Sequence, residues 1–321
     1  LVCTARTPVT VAVVSFNTRD LLTRCLRSLQ PEVEAGRAEV WVVDNRSSDG
    51  SAQAARTQAP WAGVIESEEN IGFGRAVNLV ARQTSSDWLV GANADVALEP
   101  GALERLLDAG RDVRVGCVAP RLVLPGGRTQ HSVYPLPTIP FTLAFNAGLH
   151  VFSNRWSDRL CLEGYWNADR PRAVPWAIGA FLLLRRRAFD EVGGFDEQQW
   201  MYAEDLDLGW RLHDHGWTTR YEPRARVLHE SGAATAAAFG EYRAGRFMTA
   251  TYGVVRRRRG RALAALTAAV SVAGAAARVA WMTPLALLSR RWRGRAASNR
   301  MWLAAHLEGL RSLSVNRETD R

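Results

Sequence analysis

The stretch "WMYAEDLDLGWRLHDHGW" (200–217) gathers Glu204, Asp205, Asp207 and Asp214 with two histidines, His213 and His215, among aromatic residues. Taking 204–215 as helical, Glu204 and Asp205 stand at the N-terminus, where the helix dipole favours carboxylates as caps. Asp207 and Arg211 form an i, i+4 pair that needs no function. Capping explains one acid and pairing another. Three acids together, behind an aromatic approach and the glycine corner "EVGGFDE", leave a carboxylate for work as a general base. His213 and His215 diverge on a helix and do not share a metal ion. His229, in "RVLHESG" after a short β-like run, is the better candidate ligand, with an ordinary structural histidine as the alternative.

Three further stretches carry chemistry. "GANADV" (91–96) places Asn93 and Asp95 two apart at the end of an apolar run, where both can reach one cation or one diphosphate; an Asx turn is the alternative. "VVDNRSSDGS" (42–51) ends a strand-like run with Asp44 and Asn45, ahead of small polar residues that can grip a base and ribose. "ENIGFGRAVN" (69–78) sets Gly72 at a helix start, where free N–H groups favour an anion, and carries Asn78 on the helix. Its G-x-G is too short, and too late in the chain, for a dinucleotide fingerprint.

The elements that must hold these residues follow from the hydrophobic pattern. "VTVAVVSF" (9–16) and "EVWVVDN" (39–45) read as strands buried on both faces, "AGVIES" as a third and "DWLVGANAD" (87–95) as a fourth. The helices "LLTRCLRSL", "SAQAARTQ" and "GFGRAVNLVARQ" separate them. Such alternation predicts an α/β doubly wound sheet, with ligands beyond the carboxyl ends of its strands. Ser15 and Asn17, Asp44 and Asn45, and Asn93 and Asp95 all fall at those ends. Beyond them, "CVAPRLVLPGGRTQHSV" predicts two strands around a Pro-Gly-Gly turn, and "AIGAFLLLRRRAF" (177–189) a strand running into a helix. Residues 135–172 show no period and are expected to form a long loop or lid.

Composition bounds the rest. With 47% hydrophobic and 23% charged residues the chain can form a core. The net charge of +9 is uneven: from Glu241 onward 16 arginines face four acids, about +12, so the remainder is slightly acidic and only the tail calls for an anionic partner. All 41 basic residues are arginine, which a GC-rich coding sequence explains as readily as function. Cys3, Cys25, Cys117 and Cys161 are scattered without zinc or disulfide spacing, which suits a reducing compartment, and the opening residues lack a secretory signal pattern. In the tail the apolar run 262–277 falls short of the roughly 20 residues that span a bilayer. Arg278 interrupts it and Pro284 is expected to break its continuation. Arginine clusters beside Trp281 and Trp292 suit helices lying at a membrane surface. The tail lacks the stacking platforms of single-strand nucleic-acid binders, so no nucleic-acid partner is expected.

The ordered set "VAVVSFN", "VVDNRSSDGS", "ENIGFGRAVN", "GANADV", "GAFLLLRRRAFDEVGGFDE", "MYAEDLDLGWRL" and "VLHESG" resembles the family-2 glycosyltransferases of GT-A fold, close to bacterial rhamnosyltransferases acting on polyprenyl-diphosphate-linked sugars. The resemblance implies a GT-A-type mixed sheet in residues 1–238, with a nucleotide-sugar half (1–120) and an acceptor and catalytic half (121–238). An Arg-rich helical region, 239–321, follows. It assigns Asp205 as the inverting base with Glu204 beside it. Ser15, Asn17, Asp44, Asn45, Gly72, Asn78 and Asn93 go to the nucleotide-sugar site. Asp95 and His229 go to an Mg2+ or Mn2+ ion on the donor diphosphate. The chain departs from the pattern at Asn93, where a full D-x-D motif has Asp, and at Ala94, where close relatives have proline.

The expected activity is inverting transfer of a sugar, dTDP-L-rhamnose being the expected donor, to a polyprenyl-diphosphate-linked or other glycan acceptor in cell-envelope polysaccharide synthesis. The expected location is peripheral, at the cytoplasmic face of the cell membrane. Alternatives are another donor (UDP-galactofuranose, UDP-GlcNAc or GDP-mannose) or a non-catalytic sugar-nucleotide-binding or glycan-binding membrane subunit.

Overall fold

The computed structural model describes residues 9–230, 243–287 and 289–314. The first half alternates as the sequence predicts: β1 (Val9–Ser15), α1 (Arg19–Glu34), β2 (Ala38–Asp44), α2 (Ser51–Gln58), β3 (Gly63–Glu66), α3 (Phe73–Gln83) and β4 (Trp88–Asn93). Next come β5 (Val96–Leu98), α4 (Ala102–Ala109), β6 (Val115–Val123), β7 (Val133–Tyr134), α5 (Ile139–Asn146), a 3-10 turn (Leu149–Phe152) and α6 (Asn154–Arg159). The chain continues through β8 (Arg172–Val174), β9 (Trp176–Ala177), β10 (Phe181–Arg185), α7 (Arg186–Glu191), α8 (Glu204–Asp214) and β11 (Thr218–His229). Three helices close it: α9 (Arg243–Arg259), α10 (Arg261–Ala286) and α11 (Arg290–Ser314).

The central sheet is mixed, in the order β3-β2-β1-β4-β10-β6-β11-β5, with β8 added beside β11. β3, β2, β1 and β4 run parallel, and β10 lies antiparallel between β4 and β6. β1 carries an apolar run because helices cover both faces of the sheet; Val9, Val11, Ala12 and Val13 are fully buried. Register then does the positioning. Ser15 pairs with Asp44 and Val14 with Asn93, so the carboxyl ends of β1, β2 and β4 finish level and present their polar residues side by side.

Among the described residues, 9–134 and 166–230 form one compact unit; 135–165, 243–287 and 289–314 form another. The second unit corrects two expectations. The stretch expected as a long loop contains α5, the 3-10 turn and α6. The sequence "IPFTLAFN" of α5 is apolar all round and shows no 3.6-residue stripe, so its helix is invisible to periodicity. The break expected at Arg278 and Pro284 is also absent, because α10 runs unbroken for 26 residues. Arg278 turns its guanidinium onto Asn299 and Asn146. Pro284 sits in the last turn, two residues before the helix ends, so the hydrogen bond it cannot make is lost from the end of the helix and not from its middle. α10 is long and apolar enough to cross a membrane by length and composition, with a mean hydropathy of 1.7. The Pro-Gly-Gly turn forms, with Leu124 and Arg128 bonded across it, but the strand after it pairs with β9 in a separate ribbon. Cys25, Cys117 and Cys161 are free and buried, whereas Cys3 lies outside the described residues.

Candidate functional site

α8 opens on a strained turn. Tyr202 and Ala203 both occupy the left-handed region, at φ 62° and 61°, which L residues enter only when their surroundings force them. The Gln199 amide holds the turn by donating to the carbonyls of Met201 and Tyr202. The turn delivers two adjacent carboxylates in different states. Asp205 accepts hydrogen bonds from Gly179 N–H at 2.9 Å and Leu206 N–H at 2.7 Å. Glu204 Oε2 is buried without a hydrogen-bond partner. Burial pushes Glu204 up to about 8, and the neighbouring Asp205 charge adds to the shift. Burial raises Asp205 as well, but its N–H donors pull it back toward the ionised form. Of the two, only Asp205 accepts N–H donors from neighbouring residues that favour its ionised form, while Glu204 keeps an unpaired buried oxygen.

Glu204 lines a cavity of about 170 Å³ together with Val14, Phe16, Asn45, Asn70, Gly72, Phe73, Asn93, Trp200, Met201 and Tyr202. Gly72 is required there. Its φ is +81°, and a Cβ would strike the carbonyl oxygen of Trp200. Trp200 Nε1–H donates to Asn70 O at 2.8 Å, tying the aromatic approach of α8 to the glycine turn before α3. Asp44 receives Ser47 N–H on Oδ2, while its Oδ1 is buried without a partner, as is Asn45 Oδ1. Asn17, at φ 51°, accepts from Ser48 N–H, and its own N–H bonds Ser47 Oγ. It thereby clamps the loop after Asp44 rather than lining the cavity. Ser15 is buried against Thr18 beside Asp44.

Asp95 and His229 meet where β5 pairs with β11, His229 standing opposite Val96: Asp95 Oδ1 lies 3.4 Å from His229 Nε2 and has no hydrogen-bond partner. His229 Nδ1 bonds Gln130 Oε1 at 2.7 Å. A proton on Nδ1 donated to that amide oxygen leaves the Nε2 lone pair toward Asp95. A buried carboxylate oxygen and an imidazole lone pair, aimed together with nothing between them, fit a divalent cation. Among the described residues no cluster of three or more His, Cys, Asp or Glu could hold a metal, and a hard divalent ion that bridges phosphates needs few protein oxygens. β4 ends at Asn93, so the Asn93/Asp95 pair straddles a turn; Asn93 faces the cavity and Asp95 turns to His229.

The structure does not bring Asn78 to this group. Its amide bonds Phe195 N–H and Phe195 O at 2.9 Å each, and Glu197, so it clamps α3 to the Gly193-Gly194 corner. A Cβ on Gly194 would press on that same amide at 2.7 Å. Asp207 is fully buried on Arg211 at 2.8 Å, and Arg211 also donates to the carbonyls of Val192 and Gly194. His215 caps its own helix and His213 is exposed. Sequence reasoning missed Phe16, Asn70 and Gln130. Asn70 lies within "ENIGFGRAVN" but nothing there singles it out, and only the folded chain brings it to Trp200 and Gln130 to His229.

The profile described as Glycosyl transferase family 2 matches residues 10–193, and that of Glycosyl transferase family group 2 matches 149–306. The N-acetylglucosaminyl-diphospho-decaprenol L-rhamnosyltransferase of Mycobacterium tuberculosis is 35% identical over 243 residues, 70% of this chain and 76% of that protein. Rhamnosyltransferase WbbL of Escherichia coli is 24% identical over 230 residues, 68% of this chain and 82% of that protein. A mannosyltransferase from Pyrobaculum calidifontis, solved with GDP-Man and Mn2+, shares the fold at a TM-score of 0.61 and 19% identity, covering 96% of this chain and 88% of that one. The chain belongs to glycosyl transferase family 2 and is a glycosyltransferase.

Proposed function

We propose that the chain is an inverting rhamnosyltransferase. In this reading it moves rhamnose from a nucleoside-diphosphate donor, dTDP-L-rhamnose, to a polyprenyl-diphosphate-linked N-acetylglucosamine at the cytoplasmic face of a membrane. One observation carries the site: every buried carboxylate or side-chain amide oxygen without a hydrogen-bond partner among the described residues belongs to Asp44, Asn45, Asp95 or Glu204. Leaving such groups unpaired costs about 1–3 kcal/mol each, so four unpaired oxygens on strand and helix ends point to a ligand that completes them. The names of the Mycobacterium tuberculosis and Escherichia coli relatives support the sugar, and the former supports the acceptor.

In this reading Asp44 and Asn45 receive N–H and hydroxyl donors of the nucleoside. Asp205, held ionised by two backbone N–H groups, takes the proton of the acceptor hydroxyl as its oxygen attacks C1 of the donor sugar. The C1–oxygen bond to the nucleoside diphosphate breaks on the opposite face, which inverts the anomeric centre. Glu204 keeps its proton, so the pair brings one negative charge rather than two to an anionic donor. Asp95 and His229 would hold a divalent cation whose charge stabilises the departing diphosphate. The arginine-rich helices, including the apolar α10, bring the enzyme to the membrane where a polyprenyl acceptor resides.

Calorimetry with dTDP, UDP and GDP, each with and without Mn2+, tests the donor. The reading expects tightest, Mn2+-dependent binding of dTDP. Preference for UDP or GDP moves the same chemistry to another donor, and binding of none by folded protein replaces it with a non-catalytic role. Transfer is then read on a GlcNAc-diphosphoprenol.

A further inference from the structure

The internal segment 135–165 packs with the C-terminal helices rather than with the sheet. Within that unit Asn146 of α5 receives Arg278 of α10 at 3.1 Å, and Gly274 of α10 leaves room for the Asn146 side chain. From residue 129 through 154 no Asp, Glu or Arg occurs. Over the same stretch and just past it, large apolar side chains face outward: Leu143, Leu149, Phe152 at 81% exposure and Trp156 at 68%. Arg155 and Arg159, both exposed, flank Trp156 on α6. Scattered exposed hydrophobics are ordinary, but four within fourteen residues, with Arg155 the single charged residue among them, are not.

We infer that the tip formed by the 3-10 turn and α6 is a second membrane-contacting element, inserting Phe152 and Trp156 among the headgroups of an anionic bilayer. The inference rests on the membrane reading above and adds to it a part of the chain outside the arginine tail. Charge selects a bilayer over another apolar partner. Arg155 and Arg159 adjoin the tip, and the same unit exposes Arg261, Arg290, Arg291 and Arg293 at the two ends of α10. On α6 itself Arg155 and Arg159 outnumber Asp158, and exposed aromatics beside a net positive charge suit the interface region of an anionic membrane. The most apolar window of α10 is only 33% buried, so this unit exposes apolar surface on a second element as well.

The test is flotation of the full chain with vesicles of phosphatidylglycerol and phosphatidylcholine, against pure phosphatidylcholine, for the wild type and a Phe152→Ser/Trp156→Ser double variant. The wild type should float with the anionic vesicles. The double variant should partition about tenfold less, with unchanged Tm and unchanged dTDP binding. A wild type that floats with neither vesicle sinks the membrane reading and this inference together. A wild type and double variant that float equally overturn the inference alone and leave contact to the arginine helices. Self-association of the wild type that the double variant abolishes, with flotation unaltered, makes the face a contact between copies and likewise overturns it. A Phe152→Cys variant carrying an environment-sensitive fluorophore gives an independent reading: its emission should shift to the blue on anionic vesicles, and an unshifted spectrum with bound protein overturns the insertion.

Discussion

α8 carries two kinds of carboxylate within one turn of helix, and they differ in how fully their hydrogen-bonding capacity is met. Asp207 points into the protein, where Arg211 meets it and ties it to the Gly193-Gly194 corner. Glu204 and Asp205 precede it in the same turn, just after the strained Tyr202–Ala203 pair; Asp205 is tethered by backbone alone and Glu204 keeps one buried oxygen unpaired. Composition and position barely separate these acids, since all three lie in the first turn. Saturation of their hydrogen bonds separates them completely. A saturated buried acid holds structure, and an unsaturated one awaits a ligand.

Substitutions can break that contrast from either side. Asp205→Asn should lower the rate of transfer by about 10²–10⁴-fold while nucleotide binding holds, read by single-turnover kinetics beside calorimetry. Retained turnover would remove Asp205 as the base. Asp207→Ala should do the reverse, costing about 3–5 kcal/mol of stability by leaving Arg211 buried without its counter-charge. Urea unfolding measures it, and a loss within experimental scatter would deny Asp207 its structural role. Gln130→Ala should weaken Mn2+ binding about 10- to 100-fold in the presence of dTDP, since nothing then orients His229. Electron paramagnetic resonance of free Mn2+ reads this directly. A Gln130→Glu variant, which keeps an acceptor oxygen, should restore most of the affinity; weak binding in both variants would mean that the loop, and not the acceptor, matters.

The smallest effect concerns Glu204. A carboxyl whose pKa is higher folded than unfolded binds more protons in the native state, so its contribution to stability is full below its ordinary 4.5 and is lost as pH rises toward about 8. Glu204→Gln removes that dependence. The variant should therefore gain on the wild type between pH 5 and pH 8.5 (assay values, on the order of the two pKa limits). The gain should be on the order of 1 kcal/mol after screening, or about 2–4 °C in Tm. A difference that stays flat with pH would place the shared proton elsewhere.

Much of this was legible in the chain. The short apolar runs of β1, β2 and β4, set between helical stretches, read as strands of a buried sheet from their length and spacing. Polar residues closing those runs mark the ligand end: a polar group persists at a strand end only where something pairs with it. α5 was not legible, because its helix is apolar on every side. Nor was the unbroken course of α10, since whether Arg278 interrupts a helix depends on Asn146 and Asn299, which lie 132 and 21 residues away in sequence.

The sequence by itself determined the alternation of strands and helices from β1 to β4, the residue types at their ends and the family they compose, because these rest on local periodicity and short-range pattern. Only the tertiary structure decided which of those residues share a site. It sent Asn78 and Asp207 to the corner they brace and left Asp44, Asn45, Asp95 and Glu204 with open oxygens. It also set Gln130 on His229 across 99 residues. The physical reason is that a hydrogen bond is closed by whatever the fold brings within 3 Å or so, and sequence spacing does not encode that distance.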